Sequence, residues 1–219
     1  MGQIAGEAIA HLRAAECDFA HPTRCAAAPR NDAKWIGRRR PNTRLAPMIP
    51  EIPTLRSARL TLRAIRADDH DHLVAMSQDP EITRHLHEGP VPSASVVWQR
   101  MSMALGQWAL RGYGMMVVED SDGFVGRIGI HHPYDAPAPQ IGYILCKRCW
   151  GKGYATEGVG LILNWMRRTH QTRRLVSEIA RENIASARVA SKLGAVLEAT
   201  ILREVTFDIW VYPAPAQDA

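Results

Sequence analysis

The sequence predicts a mixed α/β (α+β) domain, with a twisted, mostly antiparallel sheet of about seven strands and helices on both faces. Three observations point there. Some short segments alternate apolar and polar residues, the period of a strand. Others repeat apolar residues at helical spacing. The two kinds follow one another as β-α-α-β-β-β-α-β-α-β-β, which neither an all-helical nor a simple sandwich fold accommodates.

Arg59-Leu60-Thr61-Leu62-Arg63-Ala64-Ile65 alternates and reads as a strand with one face buried. Asp68 stands where a helix cap is expected, ahead of Leu73, Val74 and Met76. Asp79-Pro80 opens a short helical turn, with proline where its missing N–H costs nothing. His85 to Pro92, including His87, reads as a loop. Ser93 starts a longer helix whose stripe of Val97, Trp98, Met101, Leu105 and Trp108 is expected to be core. Gly114 to Glu119 and Phe124 to His131 make a hairpin around Asp120-Ser121-Asp122-Gly123. Gln140 to Leu145 is the next strand. A helix follows from Gly153 to Arg168, with Leu161, Ile162, Trp165 and Met166 inward. Arg174 to Ala180 is a strand, and Ile184 to Leu193 is a helix closed by Gly194. Val196 to Leu202 and Val205 to Tyr212 complete the sheet.

The 219 residues are 46% hydrophobic and 22% charged, ordinary for a globular chain. The net charge of +5 is uneven: residues 1–50 hold 8 Lys+Arg against 4 acids. The remainder is nearly neutral, so no nucleic-acid partner is expected for the domain. The basic arm alone carries that alternative. Residues 1–50 lack any sustained period and read as a disordered extension or an over-extended reading frame, with Met48 as the natural start. The domain is expected over residues 53–213, and residues 214–219 read as a flexible tail. No apolar run of about 18 residues is present, so no membrane span is expected. With no signal-peptide pattern, a cytoplasmic, reduced setting follows. Cys146 and Cys149 form a C-x-x-C. Zinc would need two further ligands, and Cys17 and Cys25 are badly spaced for it, so no metal is expected.

The segment with chemistry in it is Arg148-Cys149-Trp150-Gly151-Lys152-Gly153-Tyr154-Ala155-Thr156-Glu157, which joins a strand to a helix. A helix N-terminus presents unpaired N–H groups and the positive end of its dipole, and so binds phosphate. Gly151 and Gly153 let the backbone turn and approach an anion closely. Arg148 and Lys152 add positive charge. The spacing is neither a Walker loop nor the dinucleotide fingerprint.

Arg148-x-x-Gly151-x-Gly153 resembles the pyrophosphate loop of the GNAT superfamily of N-acetyltransferases. WGKGYATE and Ile141-Gly142-Tyr143 are similar to its ribosomal-protein alanine acetyltransferase (RimJ/RimL-like) branch. So are Leu60-Thr61-Leu62-Arg63, Asp79-Pro80-Glu81-Ile82-Thr83, Glu182-Asn183-Ile184-Ala185-Ser186 and Lys192-Leu193-Gly194. The resemblance implies acetyl-CoA as cosubstrate, with the acetyl group passed directly to a primary amine, either a protein N-terminus or a small molecule. It implies that the amides from Cys149 to Tyr154 hold the pyrophosphate, with Ala155 and Thr156 beside them. The backbone at Ile144, Leu145 and Cys146 would pair with pantetheine and polarise the thioester carbonyl. Asn183 would fix the splayed strands or the pantetheine; the residue alone also reads as a helix cap. A tyrosine that many members place before the closing glycine is replaced here by Ala190. Ser186 is therefore the candidate for assisting the leaving thiolate, and Glu204 for the base, with Glu178 and His131 in reserve. An α-amino group, with a pKa of about 8, needs such a base less than a lysine near 10.4 does. A degenerate, non-catalytic CoA-binding module is the competing reading. Monomer and homodimer are both compatible with the sequence.

Overall fold

A computed structural model describes residues 51–86, 89–170 and 174–214. The expected extension over 1–50, His87, and all but the first residue of the expected tail lie outside that range.

The sheet has eight strands: β1 (Leu55–Arg56), β2 (Thr61–Arg63), β3 (Met115–Asp120), β4 (Gly123–His131), β5 (Gln140–Leu145), β6 (Leu175–Ala180), β7 (Val196–Leu202) and β8 (Thr206–Tyr212). Their spatial order is β1-β2-β3-β4-β5-β6-β8-β7. The strand beyond the expected seven is β1, too short to show a period. Every neighbouring pair is antiparallel except β5 and β6, which run parallel and are joined only at Gln140↔Val176. Beyond that pair the two strands part. Ser177, on the β6 side of the fork, donates from Oγ to the Ile141 carbonyl at 2.9 Å and meets the Tyr212 hydroxyl at 3.0 Å.

The helices are α1 (His70–Gln78), α2 (Pro80–Thr83), α3 (Ala94–Arg111), α4 (Tyr154–His170) and α5 (Ile184–Lys192). One core packs Val159, Ile162, Leu163 and Met166 of α4 against Leu60, Leu62, Ile128 and Ile130. A second packs Leu73 and Met76 of α1 and Val97 and Met101 of α3 against Val117 and Ile144. The sheet is thus covered on both faces, as the periodicities require. Trp108 of α3 and Trp165 of α4 meet with centroids 5.4 Å apart.

Three local expectations change. Asp68 is not the cap of the first helix. Asp69 takes that place, accepting the Arg66 N–H at 2.7 Å and both arms of the buried Arg63 guanidinium at 2.7 and 2.8 Å. Burial pushes the Asp69 carboxyl up, and Arg63 with the Arg66 amide pull it below its ordinary value. Arg63, which alternation assigns to solvent, is therefore a buried ion-pair partner, bound also to Glu119 at 2.5 Å. Trp98 stands half exposed and edge-on to His70 rather than in the core, because Val97 and Met101 occupy the inward face of α3.

Candidate functional site

A cavity of about 410 Å³ opens at the end of β5, beside the point where β5 and β6 part. Its walls are the end of β5 (Tyr143, Ile144, Leu145), the loop into α4 with its first turn, one side of α5 along its length, and α2 with the residues after it. Gly151 and Gly153 have φ of +73° and +80°, backbone that L side chains rarely adopt. No atom lies within 4 Å of where a Gly151 Cβ would stand, so the glycine leaves a hollow rather than avoiding a neighbour. The first bond of α4 runs from the Glu157 N–H to the Gly153 carbonyl at 3.0 Å. The N–H groups of Tyr154, Ala155 and Thr156 precede it and have no intrahelical acceptor. All three residues border the cavity. The pieces of an anion cradle are thus in one place.

The two basic side chains of the motif, Arg148 and Lys152, stand apart from the cavity. Arg148 grips Asp120 with both arms, at 2.8 and 3.0 Å, and also donates to the Phe124 carbonyl at 2.8 Å. A planar guanidinium matches that carboxylate, and the carbonyl occupies one of its remaining donors. Arg148 therefore fixes the shape of the loop through the β3–β4 hairpin. The Arg148 hydrogen bond is the main reason that the Asp120 carboxyl is held below its ordinary value. Arg59 makes a second latch. It donates to Glu157 from Nε at 2.8 Å and to the Lys152 carbonyl at 2.9 Å, and its guanidinium covers the Tyr154 ring. Ser57 Oγ donates to Glu157 at 2.6 Å.

Along β5 the pleat decides which backbone groups face the opening. The Cys146 N–H donates to the Val125 carbonyl at 2.8 Å, so that amide is turned toward β4. Of the three backbone positions expected to face pantetheine, Cys146 and Ile144, two residues apart on the same side of the strand, turn their N–H groups toward β4, which leaves Leu145 on the open edge. The Leu145 carbonyl points the other way and accepts the Trp150 indole N–H at 2.8 Å. Burial pushes the thiols of Cys146 and Cys149 up, away from the thiolate that redox or metal chemistry needs.

A smaller cavity of about 180 Å³ lies beside the first and shares His85, Leu86, Tyr143, Ile144, Asn183 and Ser186 with it. Asn183 caps α5, accepting the Ser186 N–H at 3.1 Å. Glu178 and His131 open onto this second cavity. Gln140 donates to Glu178 at 3.2 Å, and Arg203 stands against it at 2.6 Å in an ion pair without hydrogen-bond geometry. Glu204 sits on the exposed turn between β7 and β8 and lines neither cavity. Its neighbour Arg203 is the residue that reaches the site. His85 Nδ1 faces Glu182 at 3.3 Å, linking the segment after α2 to the approach to α5.

The sequence profile described as "Acetyltransferase (GNAT) domain" matches residues 59–196. The N-acetyltransferase p20 of Bacillus licheniformis is 27% identical over 144 residues, covering 64% of this chain and 80% of that protein. An acetyltransferase structure from Agrobacterium tumefaciens superposes with a TM-score of 0.67 at 28% identity, over 74% of this chain and 95% of the other. The ribosomal L7/L12 α-N-protein acetyltransferase RimL, solved in complex with coenzyme A, superposes with a TM-score of 0.66 at 19% identity, over 75% of this chain and all (100%) of that one. At that identity the last likeness speaks for the fold. A forked sheet, a glycine-shaped helix N-terminus and a family match running from β2 to the start of β7 agree: the chain is an acyltransferase and belongs to the GNAT acetyltransferase family.

Proposed function

We propose that this protein transfers an acetyl group from acetyl-CoA to a primary amine by direct attack. The observation that carries the reading is the 410 Å³ cavity that joins the glycine-shaped N-terminus of α4 to the open edge of β5. The hollow at Gly151 and the acceptor-free first turn suit a pyrophosphate, and the edge around Leu145 suits an extended amide-bearing arm. Bound there, acetyl-CoA supplies the activated acetyl carbon. The chain's own residues do the rest. Backbone donors on the open edge of β5 orient the thioester. The second cavity admits the amine from the other side of the fork.

Glu178 is the carboxylate we assign as base. It borders the acceptor cavity, whereas Glu204 lies outside both cavities. Gln140 and Arg203 hold Glu178 in place. Ser186 borders both cavities, which supports its role in assisting the departing sulfur. The acceptor is an amine on a protein N-terminus or on a small molecule.

Calorimetric titration with acetyl-CoA, beside a Gly151→Trp variant, tests the cofactor half. Micromolar binding by the parent, weakened at least about a hundredfold in the variant, is expected because an indole fills the cradle, costing about 3 kcal/mol or more. A folded parent that takes up no acetyl-CoA ends the reading.

A further inference from the structure

Tyr143 holds a group that the transfer scheme leaves unused. Its phenol oxygen is buried and makes no hydrogen bond among the described residues. Polar groups in packed interiors rarely stay in that state without a reason. The residue lies on β5 between Gly142 and Ile144, and its ring packs with the core on the α4 side. It borders both cavities, and so does Ser186. Burial pushes the phenol well above its ordinary pKa, outweighing the smaller opposite influence of the nearby Ser186. The phenol therefore keeps its proton and stays a donor throughout the physiological range. Ser186 is anchored by its own backbone, through the Asn183 cap, so its hydroxyl has rotation as its main freedom.

We propose that Tyr143 is a positioning residue, whose phenol O–H, unmet here, donates to Ser186 Oγ once the serine side chain rotates toward it, and thereby turns the serine proton toward the departing sulfur. The proposal rests on the acetyl-transfer reading above. A serine hydroxyl has one proton and two acceptor sites, and on a helix it readily spends that proton on a carbonyl one turn back. A fixed donor on its oxygen favours the rotamer in which the proton points into the site, and a chain of two hydroxyls polarises toward an anion. In the transfer, the amine nitrogen attacks the thioester carbonyl carbon. The C–N bond forms, the C–S bond breaks, and the electron pair stays on sulfur. The amine proton goes to Glu178, and neither hydroxyl gives up its own.

Two readouts test the pair. The first is turnover by Tyr143→Phe, Ser186→Ala and the double variant. The second is the thiol pKa of bound coenzyme A, read from thiolate absorbance without any amine. Tyr143→Phe should lower kcat about tenfold, the weight of one hydrogen bond, with the KM for acetyl-CoA within twofold. It should raise the pKa of the bound thiol by about half to one. Both effects should fall below twofold, or vanish, in the Ser186→Ala background. Equal losses in the two backgrounds, or an unchanged thiol pKa in Tyr143→Phe, overturn the pair while transfer itself stands. A parent that fails to bind coenzyme A overturns the transfer reading, and the pair with it.

Discussion

The two sides of the fork between β5 and β6 are built in different ways. The cofactor side is backbone: two glycines with positive φ, a helix start, and a strand edge. The charged side chains of the glycine loop stand outside the cavity, where Arg148 on Asp120 and Arg59 on Glu157 hold the loop from behind, while Arg84, Arg188 and Lys192 border the opening from other elements. The acceptor side is made of side chains from separate elements, with Glu178 from β6, His131 from β4, His85 from the segment after α2 and Ser186 from α5. A common cosubstrate needs one cradle, whereas acceptors differ. Backbone suits the first task and exchangeable side chains the second.

The largest test of that contrast lies on the acceptor side. Glu178→Gln should lower kcat by about a hundredfold or more, with acetyl-CoA binding unchanged by calorimetry, as expected for loss of a positioned base. Glu204→Gln should stay within about twofold, since an exposed turn carboxylate contributes little. A reversed result would move the base to the β7–β8 turn. A smaller effect should come from behind the cradle. Arg148→Ala should weaken coenzyme A about tenfold although Arg148 touches no part of the cavity, because a charged hydrogen-bonded pair at nearly buried Asp120 is lost. Asp120→Ala should do the same, and the two together should cost little more than either. Additive losses would show that Arg148 meets the phosphates itself.

The smallest effect is a pH response. The folded Asp120 carboxyl lies below its ordinary value of 3.8 because of Arg148. Its contribution to stability is therefore complete above that value and is lost as pH falls through the depressed one. Melting temperature should hold steady down to about pH 4 and then decline, with a shallower decline in Asp120→Asn. Identical acid limbs in the two proteins would place the sensitivity elsewhere, Glu157 being next, since its carboxyl is also held below the ordinary range once Ser57 and Arg59 outweigh burial.

The same contrast explains what could be read in advance. The cradle is contiguous in sequence, so Gly151-x-Gly153 ahead of a helical period gives it away. Asn183 could be read as a cap and as a site residue, and the cap is visible at 3.1 Å. Arg148 was legible as important but not as a partner of Asp120, because that pairing spans 28 positions and depends on how a hairpin folds back. In the sequence Glu178 ranks behind Glu204 as a base, because only the fold shows which of the two borders a cavity. Tyr143 sits inside the recognisable Ile141-Gly142-Tyr143, yet only packing reveals that its hydroxyl is unmet. Arg63 obeys the alternation of β2 and is still buried, since the cap position ahead of α1 supplies Asp69 on the face that alternation gives to water.

The single pairing at Gln140↔Val176 has a thermodynamic consequence. Two halves of one sheet are left adjoining without being zipped. A molecule that lies between them as an extra strand supplies hydrogen bonds that the native state lacks and the unfolded chain cannot use. By mass action the melting temperature then climbs with the logarithm of cosubstrate concentration. With acetyl-CoA bound as proposed, the folded fraction would rise with the supply of that cosubstrate.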